Sequence, residues 1–459
     1  MNDKKGNPAV LLTVMVTALI TTFMGNALNL SIPDLESTFS VNASTVNAVM
    51  SAYIITIAAL SLPFGKIADV KGKRKVFLTG IAGFGLVSLA IVFSVNFTMF
   101  IALRIIQGTF ASMMFATNNA ILISSYPRSQ QGRVLGLSVG ATYVGLTLGP
   151  VIGGFLQNSF GWRSIFAVSA ALCLVALIIA IKGVPMDEKA NQSLTGRSDW
   201  AGGLLYALSI ILSLYGLTYL TVTKAGPFIL AAGLILLVVF FRMEQKIPNP
   251  MLKTSLFTGS RTFTFSNLAA LLNYGSTFAI TYTMSIYLQL VKGLTPDKAG
   301  LVLISMPLVQ ALFSPLMGSL SDRIRPAYLA SGGMGLCVIS LLILSRLSQD
   351  SSLAFILVPL LLTGFGFAMF SSPNNNAIMS CVGPRDYSVA NSIITTMRTY
   401  GQSSGLAILN IITGVMLGKA TLEEAGAEGI VSLDRVAFLI FSGICLAGLF
   451  LSLARDKRQ

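Results

Sequence analysis

Histidine is absent from this 459-residue chain, tryptophan occurs twice, cysteine four times, and charged residues make up only 10% of the whole. Without imidazole the chain lacks the commonest general base, the commonest metal ligand and the usual switch near neutral pH. Cys173, Cys337, Cys381 and Cys445 lie far apart, inside or at the ends of apolar stretches, with no metal-type spacing. They read as small hydrophobic packing residues. There is no Walker loop, no glycine run in a strand–turn–helix setting and no carboxylate cluster. The expectation is therefore no catalytic residue, no metal, no cofactor and no enzyme activity.

Long apolar runs fill the chain instead. Hydrophobic residues make up 54% of it, and a bilayer needs about 20 mostly apolar residues per helical crossing. Such runs lie near 8–33, 45–66, 76–95, 97–125, 134–157, 163–183, 200–222 and 226–241, then near 263–290, 299–320, 327–345, 353–380, 388–418 and 436–454. This pattern predicts an all-α polytopic membrane protein with fourteen transmembrane helices, its main partner being the lipid bilayer. The first run follows Lys4 and Lys5 and ends at Pro33 and Asp34 without a small-residue cleavage site, so it is read as a retained span.

Lys and Arg number 31 against 17 Asp and Glu, a formal charge of +14. A nucleic-acid partner is not implied, because the bases cluster in short breaks between apolar runs, as at Lys71, Lys73, Arg74 and Lys75. Most of them fall on the side that also carries both termini, which predicts cytoplasmic termini. The acids avoid the predicted spans: Asp34 and Asp69 stand at span ends and the others are assigned to loops or tails. Arg104 and Arg398 are the two charges placed within spans, and an intramembrane arginine is costly unless it faces a cavity or a partner.

The chain also repeats. Asn118-Asn119-Ala120-Ile121 returns as Asn375-Asn376-Ala377-Ile378, and Pro127-Arg128 returns as Pro384-Arg385 at the same offset. Gly65 and Asp69 in GKIAD return as Gly318 and Asp322 in GSLSD at a slightly shorter one. The offsets equate the first six spans with the last six and leave an inserted pair, a 6+2+6 plan. The predicted divisions are an N-terminal six-helix bundle over 1–183, the inserted pair with its flanking loops over 184–262, and a C-terminal bundle over 263–459. Parallel six-helix repeats are a known plan for secondary transporters.

Four motifs carry a family resemblance. The run Gly65-Lys66-Ile67-Ala68-Asp69-Val70-Lys71-Gly72-Lys73-Arg74 resembles the cytoplasmic loop signature of the major facilitator superfamily, with Val70 where a base is usual. Arg104 in RIIQG resembles the fourth-span motif. Gly145, Gly149, Pro150, Gly153 and Gly154 in GLTLGPVIGG resemble the fifth-span motif associated with exporters. The segment NLSIPDL with Tyr53, and RTYGQ beginning at Arg398, are similar to the 14-span drug:proton antiporter branch. That branch commonly has an acid where Met24 and Gly25 stand here.

The resemblance implies a major facilitator fold and proton-coupled efflux of small amphipathic molecules by alternating access. It further implies a gating loop of Gly65, Asp69, Gly72, Arg74 and Asp322, a charge role for Arg104 and Asp34, and helix packing through Gly145, Gly149, Pro150 and Gly153. Polar residues expected to meet the small-molecule substrate are Asn26, Asn29, Asn118, Asn119, Asn273, Tyr274, Asn375, Asn376, Arg398 and Gln402. Protons are the expected coupling ion, the plasma membrane the expected location and a monomer the expected working form. With only arginines in the spans, ion-coupled transport of an anionic or zwitterionic metabolite or a lipid-like solute is the first alternative. A non-transporting receptor on the same fold is the second.

Overall fold

The computed structural model describes residues 6–41, 43–186, 199–417 and 422–455. Among them every regular element is helical. The order is α1 (Pro8–Asn26), α2 (Ile32–Phe39), α3 (Ala43–Lys71), α4 (Lys73–Val92), α5 (Phe97–Ser125), α6 (Gln131–Phe160), α7 (Arg163–Gly183), α8 (Trp200–Thr218) and α9 (Gly226–Glu244). Then come α10 (Ser255–Gly259), α11 (Arg261–Ile286), α12 (Pro296–Leu303), α13 (Ser305–Ser321), α14 (Pro326–Leu344), α15 (Leu353–Ser380), α16 (Tyr387–Leu417) and α17 (Leu422–Ala454).

The helix starts follow ordinary capping chemistry, in which a short polar side chain satisfies an orphan amide. Asn7 accepts from Ala9 N at 3.0 Å, Asn96 from Met99 N at 2.8 Å, and Ser260 and Ser352 from Phe263 N and Phe355 N at 3.2 Å each. Gly72, at φ 114°, breaks the chain between α3 and α4 in a conformation that a side chain would strain. A π-helical turn, Tyr287–Val291, follows α11.

Among the described residues, 11 helices are long and apolar enough to cross a membrane, or 12 if α6, bent by 41° between Gly149 and Val151, counts as one span. The remaining two runs of the sequence reading form α11 and α16. Both are long helices, but their amide and hydroxyl side chains leave them more polar than the others. Large apolar side chains such as Leu86, Phe155, Phe228 and Leu301 are more than half exposed, as expected where lipid is the solvent.

The chain divides into two compact units. Unit 1 runs to Ile211 and adds Ile235–Thr254 and Val382–Thr396; unit 2 takes Leu212–Leu234, Ser255–Cys381 and the chain from Met397 onward. Unit 1 packs around an aromatic cluster in which Phe100 meets Phe39, Trp162 and Phe166 at centroid distances of 5.4, 5.5 and 6.1 Å. Unit 2 packs around Met334, Cys337, Phe370, Phe438, Phe441 and Cys445. Cys173, Cys337 and Cys445 are buried and Cys381 is half-buried, all four free.

Candidate functional site

The start of α16 is where the loop motif acts, and all of its contacts lie within unit 1. The Asp69 carboxylate, at the end of α3, accepts from Ser388 N at 3.2 and 3.0 Å and from Val389 N at 3.0 Å. These are first-turn amides of α16, which have no partner inside the helix and carry the positive end of its dipole. Lys73 Nζ stands 3.2 Å from Asp69 on the other side and donates to Pro384 O at 2.9 Å.

Close approach makes this cap possible. A methyl group on Gly65 would meet Ser388 O at 2.8 Å, so α3 and α16 can touch only with glycine there. Ser392 Oγ donates to Ser61 O at 2.7 Å. One turn further along, Asn119 of α5 donates to Asn391 Oδ1 at 2.8 Å, and Asn391 donates to Phe115 O. Tyr206 of α8 shares a 2.8 Å hydrogen bond with Thr396. Arg74 of the same loop donates to Ile181 O at 2.7 Å and so ties α4 to α7. The second motif copy is placed differently, with Asp322 half-buried just after α13 in unit 2.

Arg104 is fully buried inside unit 1. Its guanidinium donates to Gln107 Oε1 at 2.6 Å and lies over the Tyr53 ring at 4.3 Å and the Phe166 ring at 5.9 Å. Gln107 in turn donates to Ser88 Oγ at 2.7 Å. A cation is thus held by an amide oxygen and aromatic faces, with no carboxylate among the described residues.

The other expected residues divide between the units. In unit 1, Asn118 accepts from Thr17 at 3.3 Å, and Asp34 is exposed, accepting from Gln157 at 3.1 Å. Gly145 and Gly153 of α6 press on the α1 segment at Leu19 and Ala27, and Gly149 is buried. In unit 2, Asn273 donates to Cys445 Sγ at 3.9 Å and Tyr274 pairs with Ser371 at 3.4 Å. Asn376 donates to Ser321 Oγ at 3.0 Å, Asn375 is buried, and Arg398 and Gln402 are half-buried on α16. The side chains of Asn26, Asn29 and Pro150 lie outside the described residues.

Sequence reasoning missed Ser388, Asn391, Ser392 and Thr396, although a run of small polar residues at the start of an apolar helix was a usable signal. It also missed Asp434. Assigned to a loop, this residue is 1% exposed within α17.

The comparisons decide the family. The Major Facilitator Superfamily model matches residues 14–406 and, again, 266–459. The chain belongs to that superfamily. As a superfamily member it is a multi-pass membrane transporter rather than an enzyme. It is 29% identical over 449 residues to the Riboflavin transporter RibZ of Clostridioides difficile, covering 96% of each chain. It is 28% identical to the Methylenomycin A resistance protein of Bacillus subtilis, covering 91% of this chain and 89% of the relative. It is also 28% identical to the Multidrug resistance protein Stp of Mycobacterium tuberculosis, covering 86% and 73%. The human organic anion transporter MFSD10 (TETRAN) shares the fold with a TM-score of 0.69 at 16% identity, over 97% of this chain and 99% of that one.

Proposed function

We propose that this superfamily member is a proton-coupled efflux transporter of small amphipathic molecules that works by alternating access. The observation that supports this reading most is the Asp69 cap on α16. A helix start held by one carboxylate, a glycine contact and a pair of asparagines closes and releases as a unit, and a transport cycle needs such an element. Relatives named for methylenomycin A resistance and multidrug resistance support export, as does the glycine–proline run of α6.

The proposal includes fourteen spans in 6+2+6 order with α11 and α16 among them, cytoplasmic termini, a plasma-membrane location and a monomeric working form. The solute would meet Asn118, Asn119, Asn273, Tyr274, Asn375, Asn376, Arg398 and Gln402. Polar faces on α11 and α16 suit helices that border a wet path rather than lipid.

A second reading, transport of an anionic or zwitterionic solute, is favoured by the buried Arg104, a cation with no carboxylate partner among the described residues. Proteoliposomes separate the two. Ethidium movement that follows an imposed pH gradient, with the organic anion fluorescein unmoved, supports cation-type drug efflux. Flux of an organic anion such as fluorescein that is lost in Arg104→Gln or Arg398→Gln, with ethidium unmoved, replaces it with the second reading.

A further inference from the structure

Asp434 is a buried acid that no step described so far uses. Among the described residues neither carboxyl oxygen has a hydrogen-bond partner, and both are shut off from solvent. Its neighbours along the helix face, Ile430, Ala437 and Phe438, are apolar and buried. A carboxylate in such surroundings has neither water nor a donor nor a cation to stabilise its charge, whereas the neutral acid leaves only ordinary polar atoms unmatched.

The elements packed against α17 are α11, α14 and the π turn. Of the titratable groups on those elements, Tyr287 is the one shown near Asp434, whereas Cys337 lies beside Cys445 instead; the exposed Asp350, in the loop after α14, also acts on Tyr287. Tyr282 is half exposed and Cys337 is buried. Tyr287 is near enough to sense the Asp434 charge, but its hydroxyl is already donated to Ser348 O at 2.6 Å. On α17 itself, Arg435 and Glu428 are both exposed. In the loops that adjoin the π turn and α14, Arg346 is exposed and Lys292 donates to Gln349 O at 2.5 Å. None of these cations forms an ion pair with Asp434.

The backbone around Asp434 departs from regular helix on both sides. The π turn that faces it closes through a wide hydrogen bond from Lys292 N to Tyr287 O at 3.1 Å and ends at Gly293, at φ 63°. Such turns interrupt regular helices and are common at functional positions. Two turns before Asp434, α17 itself is kinked at Gly426, at φ 62°.

We infer that Asp434 is a proton-binding site of unit 2, on which the coupling proton is carried. This rests on the proton-coupled reading given above. In the conformation described, the proton is on the carboxyl and α17 packs against the π turn. Release of the proton to water leaves a carboxylate that cannot stay in the apolar seam, so α17 and the π turn must part to hydrate it. Proton occupancy is thereby tied to the packing of one helix.

The test uses the full-length protein and the variants Asp434→Asn and Asp434→Glu, each first checked for monodispersity. Infrared difference spectra at neutral pH should show the carbonyl stretch of a protonated carboxylic acid in the wild type, and that band should vanish in Asp434→Asn. In proteoliposomes with ethidium as the probe, Asp434→Asn should keep exchange down the ethidium gradient. It should also lose pH-driven accumulation, down to the level seen without a gradient, while Asp434→Glu keeps both. An infrared band that persists in Asp434→Asn, or pH-driven accumulation equal to wild type, overturns the assignment and leaves proton coupling intact. A wild type that exchanges ethidium but ignores the pH gradient overturns proton coupling itself, and with it the role given to Asp434.

Discussion

Arg104 in unit 1 and Asp434 in unit 2 are both sealed from solvent, at 0% and 1% exposure, yet only the arginine has been given partners. The difference follows from what each group can do about its charge. A guanidinium does not give up its proton under any ordinary condition, so the protein must supply an oxygen and aromatic faces to replace its water. A carboxyl can become neutral by taking one proton, so an apolar seam can hold it without a counter-charge. Asp69 is a third case: its side chain is 2% exposed, but two amides and Lys73 surround it and supply the donors and counter-charge that Asp434 lacks.

Replacement by leucine should drive the first two sites in opposite directions. Arg104→Leu removes the bond to Gln107 and both ring contacts and strands a buried amide oxygen, a loss of about 3 kcal/mol. Denaturation of the protein in micelles should show it directly, and an unchanged midpoint would mean that the guanidinium is not held as described. Asp434→Leu replaces an unmatched polar group by a larger apolar one of the same branching and should raise stability by about 1–2 kcal/mol. A drop in stability there would break the comparison, since it would require a partner for the acid.

The contrast with Asp69 predicts a smaller, local effect. Asp69→Asn keeps the shape but removes the charge that faces the α16 amides, a cost of about 1 kcal/mol. Hydrogen exchange in residues 387–396 should rise roughly fivefold, while the rest of α16 stays unchanged. Tyr53→Phe sharpens the reading of Arg104 further. The ring below the guanidinium remains and only a 3.4 Å bond to Thr21 O is lost, so stability should change by less than about 1 kcal/mol. Tyr53→Leu, which removes the ring, should cost more than Tyr53→Phe in the same assay.

Much of the fold was legible because lipid imposes a blunt rule: runs of about 20 apolar residues become helices whatever their neighbours do. Arg104 and Asp69 were legible for a related reason, as charges stand out against so few others. The α16 dock was not, since the partner of Asp69 is a pair of backbone amides, which leave no mark in the sequence. Asp434 was hidden by its surroundings in the chain. Glu423, Glu424, Glu428, Arg435 and the kink glycine Gly426 read as an external loop, so the last span was begun at 436, whereas packing against α11 and α14 carries the helix through that region. Charge pattern set the boundary in the sequence, and burial of one face set it in the structure.

The cysteines have a practical use. With Cys173, Cys337 and Cys445 inside helix contacts and Cys381 half-buried, the native chain offers thiol reagents little competition. A single engineered cysteine on the outer surface of α16 or α17 could therefore carry a fluorophore or spin label in an otherwise unaltered protein, so that distance changes during turnover can be followed without first stripping the native thiols.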